Sequence, residues 1–209
     1  MQPGKRTPAP GPLALVQAFA NSKDLLTAQD IFTSPEMVQG WLVARGLLAK
    51  EEFLSEEDYQ RVLTFREALR ALIQTNTGAA FSSEALESLN SIAGSAHMTV
   101  CFSVEGQPHL QSDTPGIDGA LGRLLAIIYT SVIDGSWKRL KACQNEECQW
   151  VYYDSSKNRS SNWCTMSMCG NRLKTRTYRQ RRKEQQDVSG QPRRSHPSKQ
   201  PFHRQQSNR

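Results

Sequence analysis

The sequence predicts a mostly α, α+β chain: a helical N-terminal domain with one small β-hairpin, then a short cysteine-bearing module that ends in a basic helix. Three observations predict it. Apolar residues recur at helical spacing in most segments up to residue 141, only Thr99 to Val104 alternates at period two, and four cysteines fall as two pairs in the last third.

Residues 1–12 hold four prolines and two glycines and are expected to be a mobile leader. Leu13 to Ala20 reads as a short helix broken by the polar run Asn21 to Asp24. Thr33 or Ser34 can cap a second helix with Pro35 at its first position, running to about Arg45 before Gly46. Ser55 and Asp58 form a capping-box variant at the head of a third helix, which should end before Gly78. A fourth helix starts at Ser82 or Ser83 and carries Leu86, Leu89 and Ile92, ending at Gly94. Thr99 to Val104 and His109 to Gln111 flank a turn sequence and predict a hairpin. Residues 117–141 read as a long apolar helix, with Gly135 near a break, leading into the first cysteine pair.

Cys143 and Cys148, then Cys164 and Cys169, have four residues inside each pair and fifteen between the pairs. Two such knuckles can supply four thiolates to one tetrahedral zinc. Disulfides are the alternative, but they require an oxidising compartment, and residues 1–12 show no apolar core for a signal peptide. One zinc in a reducing cytoplasm is the expectation. Four sulfurs close the coordination sphere, so the metal should be structural. Cys101, in the alternating stretch, receives no role.

Charge is unevenly divided within the net of +6: 12 Lys and Arg against 15 Asp and Glu up to Ala142, then 14 against 5 from Cys143 onward. An acidic body followed by a basic segment localises any attraction to a polyanion. Gln149 to Tyr153 is strand-forming, Asp154-Ser155-Ser156 is turn-forming, and a helix is expected from about Met168 or Gly170 to Gln186. The module thus reads as treble-clef-like: knuckle, hairpin, knuckle, basic helix. On that helix Arg172, Arg176, Arg179 and Lys183 form one cationic stripe, Lys174 and Arg181 share the opposite side, and Arg182 flanks them. Like charges four apart repel, so such a helix calls for an anionic partner, a zinc platform, or both.

A helix of this kind fits the major groove of duplex DNA, and Arg can bond guanine through two atoms. Docking onto an acidic protein face is the alternative. Trp150, Tyr152, Tyr153 and Trp163 carry two readings as well: stacking on unpaired bases, or a mini-core for a module too small to build one otherwise.

Cys143-x4-Cys148-Gln149-Trp150-Val151-Tyr152-Tyr153-Asp154-x-Ser156, with Asn162-Trp163-Cys164-Thr165-Met166-x2-Cys169-Gly170-Asn171-Arg172, resembles the CGNR zinc-finger family. The N-terminal part, through Phe19-Ala20-Asn21 and Trp41-Leu42-x4-Gly46-Leu47, is similar to the helical ABATE domain that precedes this finger in bacterial proteins. The resemblance implies a bacterial stress-induced transcription regulator whose finger binds DNA, zinc on the four cysteines, and a structural or nucleic-acid role for Asn171 and Arg172. Residues 155–162 carry fewer cations than the family pattern leads one to expect.

The expected organisation is a leader over 1–12, a helical ABATE-like domain over 13–141, the zinc finger over 142–186 and a disordered basic tail over 187–209. The helical domain would sense a ligand, dimerise or recruit a partner. Its two histidines, His97 and His109, accompany no glycine-rich phosphate loop and no nucleophile elbow, so no enzyme is expected. No apolar run approaches the roughly 20 residues needed to cross a bilayer, so no membrane partner is expected. An RNA-binding or ribosome-associated module and a protein-interaction adaptor are the competing classes.

Overall fold

The computed structural model describes residues 7–171 and, beyond them, Thr175, Tyr178, Arg179 and Arg182. The chain divides into two compact units, 1–172 and 173–209. In the first, the order is α1 (Leu13–Ala20), β1 (Lys23–Asp24), β2 (Gln29–Asp30), α2 (Pro35–Val43), α3 (Glu56–Thr75), α4 (Ser83–Ser95), β3 (Thr99–Phe102), β4 (Pro108–Gln111), α5 (Gly116–Ile133), a 3-10 turn (Trp137–Arg139), β5 (Leu140–Ala142), β6 (Val151–Tyr153) and a wide π-helical turn (Met166–Gly170). The strands form three separate antiparallel ribbons, β1–β2, β3–β4 and β5–β6.

Helix starts follow the local chemistry. Ser34 accepts from the Met37 N–H with Pro35 at the first position, and Ser55 and Asp58 exchange both capping-box bonds. Ser82 caps α4 by accepting from the Ala85 N–H. Of the three leucine-type positions expected on α4, Leu89 and Ile92 are buried but Leu86 is exposed. Steps of three residues fall about 60° short of a full turn, so the three fan around the helix and only two reach the core.

One core joins the elements. Phe19, Phe32, Trp41 and Phe65 pack as a tilted and edge-to-face aromatic cluster with centroids 5.5–5.7 Å apart. Leu69 and Ile73 from α3 and Leu121 and Leu124 from α5 continue it, and Leu140, Ala142 and Val151 of the β5–β6 ribbon close it. By length and apolar composition alone α5 would suffice to cross a membrane, but its buried face lies in this core. Two glycines let neighbours approach it. A Cβ on Gly119 would sit 1.8 Å from the Thr114 carbonyl oxygen, and one on Gly122 would meet Ser112 and Ala96 at 2.7 and 2.9 Å.

The helix predicted over 117–141 ends at Ile133. Gly135 turns the backbone through φ 77°, a region open to glycine, and the residues that follow leave the helix for β5. Strand β6 also pairs differently from the expected hairpin between the cysteine pairs: its partner is β5, upstream of the first cysteine.

Two buried arginines of α3 hold the β1–β2 ribbon. Arg66 donates to both carboxylate oxygens of Asp30 at 2.7 and 2.9 Å and to Glu67 at 2.9 Å, and Arg70 donates to the Ala20 carbonyl at 2.6 Å. A bidentate pair of this kind satisfies a guanidinium that has lost its water. Asp30→Ala strands the Arg66 charge and is expected to cost about 3 kcal/mol, read as a lower urea midpoint; a loss under about 1 kcal/mol would mean that Glu67 alone compensates.

Candidate metal centre

The first two cysteines sit on the turn that joins β5 to β6. The ribbon continues past its strands at both ends: the Cys143 N–H donates to the Trp150 carbonyl at 2.9 Å and the Asp154 N–H to the Arg139 carbonyl at 2.7 Å. Within the turn, the Cys148 and Gln149 N–H groups both donate to the Asn145 carbonyl, at 2.8 and 3.0 Å. Gln149 reverses the chain in the left-handed region at φ 44°. That strained conformation is held from α3, where Arg70 donates to its carbonyl and Gln74 to its side-chain oxygen, at 3.3 and 2.7 Å.

The second pair is set by Thr165. Its hydroxyl accepts from the Met168 N–H, and its carbonyl accepts from the Cys169 and Gly170 N–H groups at 3.1 and 3.2 Å. This wide turn aims Cys164 and Cys169 at the first pair. Glycine at 170 lets Met166 and Trp163 close over it, since a Cβ there would lie 2.8 Å from the thioether sulfur and 3.3 Å from the indole.

The four Sγ atoms lie within 4.8 Å of one another, all in buried residues. Cys148 to Cys164 and Cys164 to Cys169 are each 3.7 Å apart. A tetrahedron with metal–sulfur bonds of roughly 2.3 Å has edges of about 3.8 Å, whereas a disulfide needs about 2.05 Å. The sulfurs therefore have the spacing of a metal site, and the cysteines are free. Mutual contacts among the sulfurs, with burial, push the Cys148 thiol up and carry Cys164 to about 12, while hydrogen bonds from Cys148 and Cys164 lower Cys143. Four thiolates cannot share this space without a cation to offset their repulsion, and zinc supplies that charge. The Asn145 amide lies 3.7 Å from the Cys169 sulfur and donates toward it, orienting a ligand from outside the coordination sphere.

Trp150, Trp163 and Met168, partly buried, and Tyr152, buried, pack against the sulfurs. Trp150, Tyr152 and Trp163 thus form the module's small core, the second of the two readings, while Tyr153 packs instead against the helical core. Cys101 lies on β3, opposite His109, outside the cluster.

A buried ion pair closes the loop between the cysteine pairs. Lys141 Nζ donates to Asp154 at 2.8 Å and to the Arg159 and Ser161 carbonyls at 2.6 and 3.2 Å. Asp154 also accepts from the Ser156 N–H and hydroxyl and the Ser161 N–H. Burial would raise the Asp154 carboxyl, but the bonds from Lys141, Ser156 and Ser161 outweigh it and bring it down to about 2. The sequence reading takes Asp154 as a turn former and as part of the family motif Asp154-x-Ser156, and gives Lys141 no role.

Of the residues expected to meet nucleic acid, Asn171, Arg179 and Arg182 are described, each exposed and with helical backbone. Arg172, Lys174, Arg176, Arg181 and Lys183 lie outside the described residues, as do the tail over 187–209 and residues 1–6 of the leader.

Two variants probe the centre. Cys164→Ser should abolish stoichiometric zinc in the purified reduced protein and expose 163–170 to hydrogen exchange while α3 and α5 stay protected; unchanged zinc content would remove Cys164 from the ligand set. Lys141→Met leaves Asp154 buried without its cation and should cost about 3 kcal/mol, most of it regained in Lys141→Met/Asp154→Leu, as thermal unfolding would show; equal losses in both would mean that the pair's charge is not the issue.

A family model described as "Putative stress-induced transcription regulator", the ABATE domain, matches residues 13–134, and a CGNR zinc-finger model matches 139–182. No curated protein matches the sequence. The first match alone spans more than half of the chain and ends where α5 ends, and the second begins just before β5 and contains all four sulfurs. The chain belongs to the ABATE family and carries a CGNR zinc finger with its four-cysteine centre complete.

Proposed function

We propose that the protein is a transcription regulator that binds duplex DNA through the basic segment following its zinc centre. The observation that carries this reading is a closed four-sulfur site followed in the sequence by a strongly basic segment: the last turn before that segment carries Cys169, and Arg179 and Arg182 beyond it are exposed on helical backbone. A helix carrying arginines meets phosphates with some side chains and base edges with others. The four thiolates leave no coordination position for substrate, so the metal is structural, and in this reading the protein acts by binding. The helical domain serves as the sensing, dimerisation or partner-binding part, in a bacterial cytoplasm.

The loop over 155–162 is spent on structure in this reading. Its carbonyls at Arg159 and Ser161 face Lys141, so the cations for phosphate come from beyond Cys169. The packing of Trp150 and Trp163 on the sulfurs likewise leaves fewer rings for stacking on single strands and favours a duplex over unpaired RNA.

Fluorescence anisotropy with random duplex DNA, single-stranded RNA and an acidic protein, each at two salt concentrations, tests the reading. Duplex binding should dominate, and six phosphate contacts would give a logarithmic salt slope near −5. Arg179→Glu with Arg182→Glu should flatten that slope by about two without changing zinc content. Tighter binding of RNA or of the acidic protein than of the duplex would sink the proposal.

A further inference from the structure

A cavity of about 460 Å³ opens between the segment entering α1, strand β4 and the last turns of α5. Small-molecule sites span roughly 300–1,000 Å³. The walls are largely apolar, with Leu13 and Pro12 on one side, Leu110 on another and Ala126 and Ile127 on the third.

Polar side chains gather at the end of α5, and their hydrogens are already committed. Thr130 Oγ1 donates to the Ala126 carbonyl at 3.0 Å and Ser131 Oγ to the Ile128 carbonyl at 2.7 Å, and the Ser136 hydroxyl gives its one hydrogen to the Asp134 carboxylate. Each hydroxyl therefore turns lone pairs, and not a proton, to the cavity. Asp134 adds a carboxylate that is kept ionised by hydrogen bonds from Ser136, whose N–H lies 2.7 Å away. The helix end has the same sign: the negative pole of α5 points here, with no basic residue in its last turn. His109, the remaining polar side chain of the lining, accepts on one ring nitrogen when neutral and donates from the other.

We propose that this cavity binds a small hydrophobic amine, its apolar body against Leu13, Leu110 and Ile127 and its ammonium group held by Asp134 and the hydroxyls of Thr130 and Ser131. A carboxylate of the same shape would face acceptors and a negative helix end. A neutral alcohol would have one proton to give where the ammonium has three. Both walls of the cavity also run to the metal module. Gln17 and Asn21 of α1 bond Val151 of β6, and α5 passes through the Trp137–Arg139 turn into β5.

Calorimetric titration of the zinc-loaded full chain with 4-phenylbutylamine, 4-phenylbutan-1-ol and 4-phenylbutyrate tests the site. The amine should bind at least about tenfold more tightly than the other two, a preference set by complementary charge. Asp134→Asn keeps the acceptor for the Ser136 N–H but removes the charge; it should weaken the amine about tenfold and leave the alcohol unchanged. Ala126→Phe, which fills the space, should abolish binding of all three, and Asp134→Asn decides alone if that variant does not fold. Equal affinity for amine and carboxylate, amine binding indifferent to Asp134→Asn, or no amine binding up to about 10 mM overturns the proposal.

Discussion

The outer edge of strand β6 is where the two halves of the first unit become one structure. One edge of β6 is taken by β5; on the other, the Val151 N–H donates to Asn21 Oδ1 at 2.9 Å, and its carbonyl accepts from Asn21 at 2.7 Å and from Gln17 at 3.1 Å. Asn21 thus gives Val151 the donor and acceptor that a further strand would have given. Gln17 also accepts from the Ala9 N–H at 2.6 Å and donates to the Thr7 carbonyl, and the Tyr153 N–H reaches that same carbonyl. A buried backbone pair left unmet would cost about 1–3 kcal/mol per group, so the strand cannot sit against α1 without these amides. With Leu140, Ala142 and Val151 in the helical core, the metal ribbon and the helical body share one interior.

That shared interior divides the work of stabilising the finger. The first cysteine pair rides on a ribbon already fixed by the core and by Arg70, Gln74 and Asn21. The second pair is held to that ribbon by fewer and more peripheral bonds: Lys141 and Asp154 close the loop, the Gln144 N–H donates to the Asn162 carbonyl at 3.0 Å, the Tyr152 hydroxyl donates to the Ser161 carbonyl at 2.7 Å, and Thr165 shapes the last turn. Zinc coordination in small modules contributes on the order of 10–16 kcal/mol at neutral pH, far more than a few partly buried aromatics can supply. The metal therefore adds the strongest tie between a knuckle built by the fold and a knuckle joined to it otherwise by a few hydrogen bonds.

How far the sequence could be read follows from the range of each signal. Caps are local: Ser34 with Pro35, and Ser55 with Asp58, announce their helices within four residues, and the structure has both. The cysteine spacing is local too, and the four sulfurs converge as expected. Features that depend on a distant partner were not legible. Leu140 to Ala142 looks like the end of an apolar helix until Val151 to Tyr153 is seen to pair with it, and Lys141 and Arg66 look like solvated cations until Asp154 and Asp30 arrive. Asn21 is the intermediate case, since the family resemblance includes it but only the structure gives the reason, an amide shaped to close a strand edge 130 residues away.

The same division bears on how such a protein can be regulated. Net charge is −3 up to Ala142 and +9 from Cys143 onward, so a polyanion drawn to the chain is drawn to one segment and repelled by the rest. Most of its cations lie beyond Cys169, which sits on the turn shaped by Thr165. The metal in turn draws its first two ligands from a ribbon gripped by α1 and continuous with α5. Any change in how α1 and α5 hold β5 and β6 is therefore felt first at Cys143 and Cys148. It reaches Cys164 and Cys169 through the metal and through the bonds that Gln144, Lys141, Tyr152 and Asn145 make to Asn162, Ser161 and the Cys169 sulfur, because packed cores transmit displacement better than they absorb it. The four-sulfur centre thus ties the ribbon that α1 and α5 hold to the turn at Met166–Gly170 that precedes the basic segment in the sequence.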